Sequence, residues 1–243
     1  MRTAPVVIGF VILAVLTALV VWDVPLLYDL DARISSAAAR YAEEHPGWVD
    51  VMRVVTHLGD PQVVIGAGAV LALTLLVCRR PRAALSVIAV ILVLGLIRYG
   101  MAALVGRERP EEQLDEVSGY AFPSGHTTTA TAAALILLYL TLPVVRGVIK
   151  ALMVAVALVW AGVVGVSRVA LVVHWPSDVV GGFALTCVVV PPLLVWIHRL
   201  SLPPWTPPLM RGRDSRPSHS RPPLKNPVPP DRSFTDTPPL SGR

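Results

Sequence analysis

The sequence predicts an all-α polytopic membrane protein: six transmembrane helices in a bundle, with a functional site at the outer membrane face. Three observations carry that fold class. Apolar residues make up 54% of the 243 residues and charged ones only 15%, against roughly 45–50% and about 25% in soluble domains. Six separate apolar segments approach or reach the roughly 20 residues that a helix needs to cross the hydrocarbon core. The basic residues between those segments fall in alternate connections, as an inserted bundle requires.

The spans are expected at 5–22, 61–77, 83–105, 125–142, 148–166 and 179–197. The first follows Arg2 and so also resembles a secretory signal. Its apolar run exceeds the 7–15 residues of a signal core, however, and no small-residue cleavage site follows closely; Ala37–Ala39 lies too far downstream. An uncleaved first helix is the reading. Residues 29–57 are too polar to cross. Residues 37–44 favour helix and Pro46-Gly47 breaks it, which predicts a short helix or helix pair on the outer surface. Residues 1–200 thus form one six-span domain. From residue 201 to 243, about half of the chain's 23 prolines alternate with Arg, Ser and Thr. That composition cannot bury a core and predicts a disordered, basic cytoplasmic tail.

Orientation follows from the connections. Arg79, Arg80 and Arg82 separate spans two and three, Arg146 and Lys150 separate four and five, and six Arg or Lys from Arg199 to Lys225 follow span six. These segments and both termini are expected to be cytoplasmic. The opposite connections hold most carboxylates, among them Asp31, Asp60 and the run Glu111, Glu112, Asp115, Glu116. The net charge of +5 is therefore topological, and no basic, aromatic-studded surface for nucleic acid is present. Cys78 and Cys187 sit in or beside apolar runs and indicate no disulfide framework. Nothing in the sequence speaks to oligomeric state.

Three polar clusters fall on the outer side in this topology: Gly106-Arg107-Glu108-Arg109-Pro110, then Phe122-Pro123-Ser124-Gly125-His126, then Ser167-Arg168 through His174 to Asp178. Each has an ordinary reading by itself. Arg107 and Arg109 could snorkel to headgroups, Ser124 could cap a helix, and His174 with Asp178 could be a structural pair. Their convergence at one membrane face points to phosphoryl transfer. Guanidinium groups bind phosphate oxygens as a fork. A helix beginning near Ser124 directs free N–H groups at the same anion, and Gly125 allows close approach. One histidine can attack phosphorus while another protonates the departing oxygen.

The same residues resemble the type 2 phosphatidic acid phosphatase superfamily. Its signature has three parts: Lys, six residues, Arg-Pro; Pro-Ser-Gly-His; and Ser-Arg, five residues, His, three residues, Asp. Pro123-Ser124-Gly125-His126 and Ser167-Arg168 to His174 and Asp178 match the second and third parts in full, and Arg109-Pro110 matches the end of the first. The resemblance implies that His174 is the nucleophile of a phosphohistidine intermediate, oriented by Asp178. It implies that His126 is the general acid and then the base that activates water. Arg109, Ser124, the Gly125 amide and Arg168 would bind the phosphoryl oxygens, with no metal and no cofactor. The clamp lysine is replaced by Ala102, and Arg98 or Arg107 is expected to supply its charge.

The implied activity is hydrolysis of a lipid phosphate monoester or pyrophosphate at the extracytoplasmic side of the cell membrane. Candidate substrates are phosphatidic acid, phosphatidylglycerol phosphate and a polyprenyl phosphate or pyrophosphate. A phosphotransferase using the same residues, or a catalytically silent lipid-binding protein, are the alternatives. The acidic run 111–116 reads either as a mobile flap over the site or as a solvated linker.

Overall fold

Proline opens most of the helices, and three of those it opens are long apolar runs. The computed structural model describes residues 4–200, which hold eight helices: α1 Ala4–Val21, α2 Pro25–Glu44, α3 Pro46–His57, α4 Pro61–Val77, α5 Pro81–Val105, α6 Gly125–Thr141, α7 Gly147–Ala170 and α8 Pro176–Arg199. Proline occupies the first turn of α2, α3, α4, α5 and α8, where its missing N–H would have had no helical partner. Asp60 caps α4 by accepting from the N–H of Gln62 at 2.7 Å and of Val63 at 3.4 Å. Gly106 closes α5 in the left-handed region at φ 65°, a conformation that glycine adopts without steric cost.

The all-α expectation holds, with no strand among the described residues. Five stretches are long and apolar enough to cross a membrane: Ala4–Val21, Pro46–Val77 (α3 with α4), Pro81–Val105, Gly147–Ala170 and Pro176–Arg199. The remaining expected span is α6, whose 17 residues rise about 25 Å, somewhat less than the roughly 30 Å hydrocarbon core. Large apolar side chains such as Phe10, Leu92, Leu96 and Leu158 stand exposed on α1, α5 and α7. That much outward apolar surface suits lipid and not water. The polar stretch before α4 forms the helix pair α2 and α3, broken at His45-Pro46. The expectation for the tail at 201–243 lies outside the described residues.

α8 is the central element, packed against α1, α5, α6 and α7. Ala72, Val90, Leu94, Ala132, Ile136 and Leu185 meet where α4, α5, α6 and α8 converge. A second cluster, Met52 with Ala170, Leu171 and Val173, seats α3 on the end of α7. Two glycines bring α8 against the segment that opens α6. A Cβ on Gly181 would lie 2.5 Å from the Phe122 ring, and one on Gly182 would lie 3.0 Å from the Ser124 carbonyl oxygen. This close approach sets the spacing between the two histidine-bearing segments.

Candidate active site

His174 is presented by a tight turn between α7 and α8. The Arg168 carbonyl accepts from the N–H of Val173 at 3.1 Å and of His174 at 3.3 Å. The turn places Val172 at φ 54°, a strained conformation for a β-branched residue, costing on the order of 1–3 kcal/mol. Asp178 lies in the first turn of α8. Its Oδ2 accepts from the Trp175 N–H at 2.8 Å, as a reaching-back carboxylate does at a helix start. The same oxygen faces His174 Nδ1 at 3.4 Å, while His174 Nε2 lies 3.1 Å from Arg109 Nη1.

These partners assign the tautomer. A carboxylate calls for N–H at Nδ1, and a guanidinium calls for a lone pair at Nε2. His174 is 1% exposed. Burial, reinforced by the charges of Arg109, Arg168 and Arg98, pushes its pKa well below the ordinary histidine value. A neutral imidazole with a free pair at Nε2 has the form a nucleophile needs.

Three guanidinium groups surround it. Arg168, 2% exposed, donates from Nη1 to Thr56 Oγ1 at 2.5 Å. Its buried Nε and Nη2 have no hydrogen-bond partner among the described residues. Arg109 is held by the carbonyls of Gly119 at 2.8 Å and Val173 at 2.6 Å. Arg98 donates from Nε to the Pro123 carbonyl at 3.2 Å, and its guanidinium lies 3.3 Å from where a Gly125 Cβ would stand. Among the described residues none of the three forms an ion pair with a carboxylate. One buried and two half-buried cations, none ion-paired to a carboxylate among the described residues, stand beside a histidine with a lowered pKa, an arrangement whose chemistry suits a multiply charged oxyanion.

The start of α6 lies against Arg98. Ser124, fully buried, precedes the first helical residue, and its N–H donates to the Asp178 carbonyl at 3.0 Å. The Ser124 hydroxyl accepts from Thr127 Oγ1 at 3.1 Å and does not cap its own helix. The free N–H groups of Gly125 and His126 then point out of the helix end, where its dipole favours anions.

The two arginines expected as stand-ins for the lysine separate here. Arg98 lies against Gly125. Arg107 instead donates from Nη1 to Asp178 Oδ1 at 2.7 Å and Ser177 Oγ at 2.6 Å, and from Nη2 to Asp31 Oδ2 at 2.6 Å. Its guanidinium is a bridge between two buried carboxylates and not an arm of the clamp. Asp31, 1% exposed, was not expected at the site. The available signal was its place on the stripe 31, 35, 39, 42 that α2 buries, since a carboxylate there needs a cationic partner.

The acidic run 111–116 touches the helical body at Leu114 and Asp115. Arg53 holds Asp115 at 2.9 Å and the Leu114 carbonyl at 2.9 Å, and the Leu114 N–H reaches the Leu171 carbonyl at 3.1 Å. Beside Arg98 and Gly125 opens a cavity of about 420 Å³ between α4, α5 and α6. Val64, Leu71, Val90, Ile91, Ala132 and Leu137 line its depth. No group of three or more His, Cys, Asp or Glu able to hold a metal ion occurs among the described residues.

Comparison with known proteins places these features in context. The PAP2 superfamily model matches residues 83–201. Phosphatidylglycerophosphatase B of Escherichia coli K12 is 39% identical over 98 residues, 40% of this chain and 36% of its own length, so the chain spans just over a third of that relative. Phosphatidylglycerophosphatase B of Bacillus subtilis is 30% identical over 159 residues, 64% of this chain and 77% of its own length. Decaprenylphosphoryl-5-phosphoribose phosphatase of Mycobacterium tuberculosis is 34% identical over 152 residues, 58% and 76% of the two chains. The crystal structure of a transmembrane PAP2-type phosphatidylglycerolphosphate phosphatase from Bacillus subtilis aligns with a TM-score of 0.69 at 26% identity, covering 82% of this chain and 98% of that one.

Proposed function

The chain belongs to the PAP2 superfamily, and from that premise we propose that it hydrolyses a lipid phosphate ester through a phosphohistidine formed on His174. One observation carries this reading. A buried histidine, its pKa held well below the ordinary value, sits among three guanidinium groups that form no ion pair with a carboxylate among the described residues, and one of them, Arg98, also lines an apolar cavity.

In this mechanism Arg98, Arg109, Arg168, Ser124 and the Gly125 N–H bind the phosphoryl oxygens. Arg98 takes the place of the lysine that Ala102 replaces. Arg109 passes from His174 Nε2 to a phosphoryl oxygen as substrate enters. Nε2 then attacks phosphorus in line, and the ester oxygen departs with a proton from His126. The imidazolium that results keeps its Nδ1–H on Asp178, whose charge stabilises it. Water, deprotonated by His126, attacks phosphorus from the side the leaving group vacated. Phosphate leaves and His174 returns to the neutral form. Catalysis comes chiefly from positioning and from fixed positive charge around the transferred group.

A lipid tail would occupy the cavity between α4, α5 and α6 while the phosphate sits on the arginines. With α6 counted as a sixth crossing, both termini lie in the cytoplasm and the site faces outward, in keeping with the alternation of basic and acidic connections. Phosphatidylglycerol phosphate is the first substrate to try, since two relatives and the structural neighbour are named for it. A polyprenyl-linked phosphate is the second. The test is phosphate release from each lipid in detergent micelles by wild type and His174→Ala. Release by wild type alone supports the reading; no release from any of them by folded protein would overturn it.

A further inference from the structure

The mechanism uses only one end, Asp178 and His174, of a buried ionic network. It begins on α2, outside the long apolar helices. Asp31 accepts from the Ser177 N–H at 3.0 Å through Oδ1, and from Arg107 at 2.6 Å and the Ser177 hydroxyl through Oδ2. Arg107 passes the contact on to Asp178 Oδ1 at 2.7 Å, and the other oxygen of Asp178 faces His174. Asp31, Asp178 and His174 are each 1% exposed or less, so the chain of charges runs through a poorly screened interior.

We propose that Asp31 is a positioning residue for His174: by sharing Arg107 with Asp178, it keeps the Asp178 carboxylate aimed at His174 Nδ1 and leaves the network one negative charge. The inference rests on the reading of His174 as the nucleophile.

Charge balance gives the reason. Arg107 with Asp178 alone would be a neutral pair. A guanidinium freed of Asp31 could also take both Asp178 oxygens as a bidentate fork, drawing Oδ2 away from His174. With Asp31 in place, one arm of Arg107 is held elsewhere and two carboxylates face one cation. The net negative charge then lies behind His174, where positive charge develops during attack. The other charged or titratable groups around His174 are Arg109 from the loop, Arg168 from α7, Arg98 from α5 and His126 from α6. The arginines all oppose an imidazolium, so the network behind Asp178 is the one source of favourable charge among these groups.

Asp31 also serves the start of α8, because it accepts from the Ser177 N–H, the first that helix has after Pro176, which has none. A purely structural role would end there, and the test must separate the two. The His174 ring is followed by NMR in protein labelled with ¹⁵N-histidine, in detergent, across pH, for wild type and Asp31→Asn. His174→Ala assigns the signal, and phosphate release is measured on the same samples. Asp31→Asn is expected to lower the His174 titration midpoint, weaken the Nδ1–H tautomer and reduce kcat on the order of tenfold, with KM little changed. Asp31→Glu is expected to recover part of each. A folded Asp31→Asn with unchanged midpoint and tautomer overturns the proposal, whatever its melting temperature. If Asp31→Asn does not fold, Asp31→Ser, which keeps an acceptor without charge, is read in the same way. Failure of both to fold makes Asp31 a structural anchor and also overturns it. The NMR readout needs no turnover, so a wild type that releases no phosphate refutes the phosphatase reading separately.

Discussion

Replacing Arg168 by methionine separates what the site does from what holds the fold. The guanidinium is 2% exposed, bonds Thr56 through Nη1, and leaves Nε and Nη2 without partners among the described residues. If both fill their valence with phosphoryl oxygens in the transition state, each charge-assisted bond contributes about 1.5–3 kcal/mol. Loss of both raises the barrier by about 3–6 kcal/mol, or roughly 10²–10⁴ in kcat/KM. Stability should move differently. Methionine keeps much of the volume and removes two buried, unpaired donors that cost about 1–3 kcal/mol each, while leaving one Thr56 hydroxyl at a similar cost. Arg168→Met should therefore be as stable as wild type or more so, as expected where function is bought with unsatisfied polarity. Phosphate release and thermal melting in the same detergent measure the two quantities, and added orthovanadate should stabilise wild type but not the variant. A loss below tenfold, or a clear drop in melting temperature, would refute the reasoning.

His126→Ala should lose about 10²–10⁴ in kcat/KM on an alkyl phosphate but much less on p-nitrophenyl phosphate, whose leaving group needs no proton, because kcat/KM ends at phosphoryl transfer and excludes the later water step; equal losses of kcat/KM on both would remove the general-acid role. Because burial and neighbouring guanidinium charge hold the His174 pKa well below its ordinary value, the nucleophile stays neutral as pH falls. The rate profile for kcat/KM should accordingly keep its plateau below about pH 6.5, and an acid limb centred at or above that value contradicts the assignment. Gly181→Ala brings a methyl group within 2.5 Å of the Phe122 ring, which should cost about 1–3 kcal/mol of stability and displace Ser124 to His126. Gly162→Ala, with nothing within 4 Å of its Cβ, should be neutral or slightly stabilising in a helix, and similar melting curves for the two would deny the close packing.

Much of this was legible because the signals are local. Apolar runs with proline at the first helical turn mark α4, α5 and α8, and Pro46-Gly47 marks the break between α2 and α3. The span expected at 148–166 instead continues to Ala170. Hydropathy falls at Ser167 and Arg168, yet both point into the protein and are buried, so the helix persists through residues that look like its end. The same inward turn brings the charge of Arg168 to bear on His174. Arg107 could not be assigned from spacing: two positions before Arg109 it reads as a second phosphate arm, and only its contacts with Asp31 and Asp178 give it another role. Asp31 stands 143 positions before His174; its place on the buried stripe of α2 calls for a cation, but nothing in the sequence says that the cation is Arg107. The contact between Arg53 and Asp115 was hidden for the same reason.

The central claim, covalent transfer to His174, is tested most directly by trapping the intermediate. Protein is mixed for milliseconds with a lipid phosphate carrying ³²P in the scissile group, quenched in alkali, where phosphohistidine survives, and digested for peptide mapping. The account predicts label on the peptide containing His174 in wild type, none in His174→Ala, and a larger steady-state fraction in His126→Ala with an activated leaving group. Turnover by wild type without label on that peptide, or label that persists in His174→Ala, would contradict it.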